Sequence, residues 1–101
     1  MIDEIAERAR QLGGKSFGTM EEFVRHSSIK EDPGEYPEAN KMIANLLKDH
    51  EFIIQTLRRN ADECDDEYGD MGTNDFLIGA MEKHEKMAWM LRAHLEGKGG
   101  A

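Results

Sequence analysis

The chain has one cysteine, Cys64, and only two prolines in 101 residues. With a single thiol no intrachain disulfide can form, which fits a reducing compartment. It also lacks a basic excess: 13 Lys and Arg stand against 21 Asp and Glu, a formal charge of −8. A surface of that sign is repelled by phosphate backbones unless its few cations cluster, and the longest basic pair, Arg58-Arg59, is too short to make a patch. Direct DNA binding by this chain is therefore not expected. No apolar run is long enough to span a bilayer, and Met1-Ile2-Asp3-Glu4 lacks the basic-then-apolar pattern of a leader. The expectation is a soluble cytoplasmic protein with no membrane partner, of at most one domain and near the lower limit for an independent core.

What is present is helical periodicity. Ile2, Ile5, Ala6, Ala9 and Leu12 keep one face of a first segment that stops at Gly13-Gly14. A short segment from about Met20 to Ser27 follows, with Thr19 placed to cap it. The stretch from Lys30 to Pro37 holds both prolines and a Pro33-Gly34 turn signal, and Pro37 suits the first turn of the next helix. From there Met42, Ile43, Leu46, Leu47, His50, Ile53, Ile54, Leu57, Ala61, Cys64 and Tyr68 recur at steps of three and four. Gly69-Asp70-Met71-Gly72 breaks that pattern, and Thr73 is expected to cap a last helix ending near Glu96. Its stripe is Leu77, Ala80, Met81, His84, Met87, Ala88, Leu91 and Leu95, but Phe76, Ile78, Trp89 and Met90 lie outside it. A helix apolar around so much of its circumference meets more than one neighbour. Two long helices joined by a short turn make an antiparallel hairpin, which needs further helices to close a core.

Three groups of residues have the makings of chemistry. Asp3 and Glu7 stand at i and i+4, on one helical face, a spacing at which two carboxylates can hold a hard cation or iron; an ordinary solvated acidic face has the same pattern. His50 and His84 each occupy a core position of a long helix and fall at similar depth if the helices are antiparallel. A histidine on an apolar stripe is more often hydrogen-bonded core than ligand. Asp62, Glu63, Asp65, Asp66, Glu67, Asp70 and Asp75 crowd the last turn, as a solubilising face or as a funnel for cations. The Glu-x-x-His signature of carboxylate di-iron bundles does not occur, nor do His-Glu-x-x-His or Cys-x-x-Cys.

The order of several motifs resembles the Dps family, the miniferritins of the ferritin-like superfamily. Asp3 through Arg8, then Gln11-Leu12-Gly13-Gly14 and Gly18-Thr19, are similar to the end of that family's second helix and the turn after it. Ser27 through Pro33 resembles the segment after its short middle helix. Leu46 through Glu51, Gly72 through Asp75 and His84 through Leu91 are similar to its third and fourth helices. The resemblance implies an all-α, ferritin-like four-helix bundle lacking the first helix and most of the second. On it, residues 1–13 are the end of the second helix, 19–28 the short middle helix, 37–68 the third and 73–96 the fourth, with 97–101 a disordered tail. It also implies a homo-oligomeric shell of twelve subunits that oxidises ferrous iron, preferably with peroxide, stores the ferric mineral and protects DNA. In that family each ferroxidase site joins histidines of one subunit to an Asp-x-x-x-Glu pair of another. Asp3 and Glu7 match the pair, as metal ligands and catalytic residues, whereas the histidines belong to a missing N-terminal segment. Asp70 and Asp75 match the family's acidic pore, where a further acidic position is Gly79 here. Such a chain is expected either to serve iron storage as part of a larger assembly or to persist as a non-catalytic helical fragment that pairs with itself or a full-length relative.

Overall fold

The computed structural model describes residues 1–34 and 36–100, and of residues 98–100 the backbone only. It holds helices α1 (Ile2–Gln11), α2 (Met20–His26), α3 (Ala39–Asp66) and α4 (Met71–Gly100), with no strand among the described residues. These fall into two compact units, Met1–Gly34 and Glu35–Ala101.

In the first unit α1 closes as its glycine pair predicts. Gly13 takes φ +86, and the Gly14 N–H turns back to the Ala9 carbonyl at 2.9 Å, capturing one of the helix's open carbonyls. Helix α2 opens on a reciprocal cap. The Glu22 N–H donates to Thr19 Oγ1 at 3.1 Å, and the Thr19 N–H donates to Glu22 Oε1 at 3.1 Å. The Thr19 hydroxyl, and then the Gly18 N–H, hold the Glu22 carboxyl below its usual pKa. No residue of α1 or α2 is buried, and Ile2, Ile5, Met20, Phe23 and Val24 remain exposed.

The second unit is an antiparallel hairpin of α3 and α4. Its buried residues are Ile54 and Ala61 on α3 and Ala80 and Ala88 on α4, the last only 1% exposed. Three of these four are alanines, which let two helix backbones approach closely where bulkier side chains would hold them apart. The Asn74 side-chain amide donates to the Ala61 carbonyl at 2.7 Å and ties the start of α4 to the body of α3. Farther along, Arg58 pairs with Glu85 at 3.6 Å and Arg92 with Glu51 at 3.4 Å, all four exposed. Of the apolar residues outside the stripe, Trp89 and Met90 are 59% and 53% exposed, whereas Phe76 and Ile78 are half-buried.

Helix α3 ends at Asp66 and α2 at His26, each two residues short of expectation, and three other helix ends also depart from it. Helix α3 begins at Ala39 with Glu38 as N-cap in extended backbone, which puts Pro37 ahead of the helix rather than in its first turn. Helix α4 begins at Met71, not Thr73. Asp70 Oδ1 accepts from the Thr73 N–H at 3.0 Å and Oδ2 from the Thr73 hydroxyl at 2.6 Å, so the aspartate caps the helix and the threonine sits inside it. Only Gly69, at φ +60, makes the turn; Gly72 is helical. At the other end α4 does not stop at Gly97. That residue keeps helical backbone, the helix continues to Gly100, and Ala101 lies outside the described residues.

Candidate metal centre

Asp3 and Glu7 lie one turn apart on α1, both exposed. The spacing that pairs them is that of the helix itself, so whatever fixes α1 fixes the pair. Asp3 borders an open groove of about 490 Å³ whose other walls are mostly apolar, among them Ile2, Ile5, Phe17 and Phe23. The histidine of this unit is held elsewhere: His26 stacks on Phe17, with centroids 4.5 Å apart and planes 10° from parallel. Among the described residues, no three His, Cys, Asp or Glu side chains gather to hold a metal ion. The pair thus offers two carboxylates with no imidazole beside them, a hard oxygen donor set suited to a ferrous or ferric substrate.

Asp70 and Asp75 sit on either side of the α4 start. Asp75 is exposed, whereas the Asp70 carboxylate is half-buried and bonded to Thr73 through both oxygens. The acids at the end of α3, Asp62, Glu63, Asp65, Asp66 and Glu67, are all exposed.

His50 of α3 and His84 of α4 do come together. His50 Nδ1 and His84 Nδ1 are 2.9 Å apart, with ring centroids at 5.1 Å and planes inclined by 48°. One ring donates its Nδ1–H and the other accepts on its Nδ1 lone pair. Their positions explain the meeting: His50 is one turn before Ile54, and His84 lies one turn from both Ala80 and Ala88, so each extends the buried seam. Desolvation, and secondarily the charge of His50, push the His84 pKa below 6.5. Periodicity places both residues on core stripes, but their pairing depends on the hairpin register, which Asn74 and Ala61 set and no local pattern announces.

A family profile described as the ferritin-like domain matches residues 1–98. The chain belongs to the ferritin-like family. Within it the chain is of the Dps type, the miniferritins. It is 52% identical over 97 residues to an uncharacterized low temperature-induced protein of Nostoc, covering 96% of this chain and 54% of that protein. It is 43% identical over 98 residues to DNA protection during starvation protein 2 of Bacillus anthracis, covering 93% and 63% respectively. Dps from Listeria monocytogenes superposes with a TM-score of 0.84 at 33% identity, over 93% of this chain and 61% of that one. Dps from Staphylococcus aureus does so with a TM-score of 0.83 at 31% identity, over 92% and 61%. The chain thus spans somewhat over half the length of these relatives. The architecture is that of an incomplete ferritin-like bundle, with the short α2 in its central connection.

Proposed function

We propose that this chain serves Dps-type iron storage and detoxification, with Asp3 and Glu7 as the carboxylate half of a ferroxidase site completed by histidines from a further polypeptide segment. The observation that carries the reading is an Asp-x-x-x-Glu pair on α1, exposed and one helical turn apart. Carboxylates bind ferrous iron and bind ferric iron more strongly, so the pair favours loss of an electron. Two ferrous ions then supply the two electrons that, with two protons, reduce one hydrogen peroxide to two waters. The product enters a mineral inside a homo-oligomeric shell of twelve subunits in the cytoplasm, and consumption of iron and peroxide spares DNA. Asp70, Asp75 and the acids ending α3 give the corner around the turn a negative potential that draws cations toward it.

Because half the ligands lie outside this pair, the chain alone is expected to oxidise iron no faster than buffer. Mixed assembly with a full-length Dps whose own two carboxylates have been neutralised should restore oxidation, followed by ferric absorbance. Restoration should disappear with Asp3→Asn plus Glu7→Gln. Oxidation by the chain alone, lost in the same double variant, would show instead that its own residues complete the site.

A further inference from the structure

We propose that His50 and His84 form a divalent transition-metal site, of the kind zinc occupies, that clasps α3 to α4 midway along the hairpin. It is independent of the Asp3 and Glu7 reading and uses none of those residues.

Both Nδ1 atoms already point at one place, 2.9 Å apart across the seam. A proton between them needs a donor on one ring and a lone pair on the other. A metal ion needs a lone pair on both, converging at a point beside the line between them, so each ring turns by roughly 35° as the ion replaces that proton. At the usual zinc–imidazole length of about 2.0–2.1 Å and a tetrahedral angle, two ligating nitrogens stand about 3.3 Å apart. The nitrogens therefore separate by only a few tenths of an ångström, and with that turn of the rings the change falls on the side-chain torsions of two half-buried residues.

The ligands also come in the right protonation state. Imidazole binds metal as the neutral base, and desolvation at the seam, with the neighbouring His50, keeps His84 neutral below its ordinary pKa. The charged residues that follow each histidine are engaged with one another across the helices, Glu51 with Arg92 and Glu85 with Arg58. The remaining coordination positions thus fall to water, which reaches two half-buried rings. Nitrogen and water donors select zinc-like ions over magnesium or calcium, which take oxygen. The ligands sit on opposite arms of the hairpin and are brought together by folding, so bound metal stabilises the folded form by mass action.

The test titrates zinc chloride into the full chain carrying His26→Ala and His94→Ala, by calorimetry at neutral pH. One zinc per chain is expected, with affinity falling at least tenfold on His50→Leu or His84→Leu and falling also at acid pH as protons compete. Glu21→Gln, an exposed charge change on α2, outside the hairpin, should leave the binding unchanged. Zinc should raise the melting temperature and magnesium should not. Zinc binding of undiminished affinity in His50→Leu or His84→Leu overturns the proposal. If the leucine variants lose their helical circular dichroism, the ring nitrogen resonances of the wild-type chain decide. Zinc must shift those of His50 and His84, and a response confined to His26 and His94 refutes the site.

Discussion

The two units of this chain differ in what they bury. The α3–α4 hairpin encloses Ile54, Ala61, Ala80 and Ala88 and ties its arms by hydrogen bonds and ion pairs. The α1–α2 unit buries no residue of either helix and is ordered by local devices, a glycine C-cap and a capping box. Caps are worth about 1 kcal/mol each, whereas a buried aliphatic side chain contributes about 1.5–3 kcal/mol. The carboxylate pair matched to iron chemistry thus lies on the weaker scaffold.

The contrast can be broken most decisively at Ile54. Ile54→Ala should cost about 2–4 kcal/mol, read as a fall in urea midpoint followed by helical circular dichroism. Phe17→Ala in the first unit should leave that transition nearly where it was. Equal effects would mean that the two units unfold as one.

A smaller effect is expected at the hairpin's turn. Asp70→Ala removes the acceptor for both Thr73 donors and should cost about 1 kcal/mol, with faster amide exchange at Thr73. If Thr73 takes over the cap at no cost, the earlier start of α4 has another cause.

Acid sharpens the comparison further. The pKa of His84 is lowered on folding, so near and below 6.5 the unfolded chain binds more protons than the folded one. Stability is therefore full above that range and declines as the pH falls through it, and two imidazolium rings cannot remain at 2.9 Å. A modest fall in hairpin melting temperature between neutral and mildly acid pH is expected, absent in His84→Leu. Equal acid sensitivity in that variant would place the titrating group elsewhere.

The smallest effect belongs to Thr19→Ala. It dissolves the capping box and should speed amide exchange in α2 while the hairpin transition stays fixed. Glu22 works in the same direction at low pH. Its pKa is depressed, so its contribution is present above the ordinary carboxylate range and fades as pH falls through the lowered value.

Much of the fold was legible in the residues because it follows from patterns a helix must obey. The three-and-four spacing through α3 and α4 identified both arms, and Thr19 with Glu22 three residues on is a cap written in sequence. The misplaced ends have a common origin in competition. Asp70 outbids Thr73 for the cap, Glu38 takes the break that Pro37 suggested, and Gly97 stays helical although glycine often ends helices. The candidate iron site was half legible: the i, i+4 pair is local, but its partners are not within reach of any local pattern. The similar depth of His50 and His84 was legible from their stripes, but the bond between them was not, since it appears only once two helices have chosen a register.

That register has a mechanical side. Asn74 on Ala61 and His84 on His50 fasten the arms at two points that lie about 15 Å apart along the helices. One fastening would leave a hinge about which the arms can swing. Two fastenings on one seam remove both the swing and the slide, leaving only a roll about the seam itself, which the Arg58–Glu85 and Arg92–Glu51 pairs oppose. The two fastenings thus tie the crossing of α3 and α4 to their axial register, so that neither can change without breaking one of them.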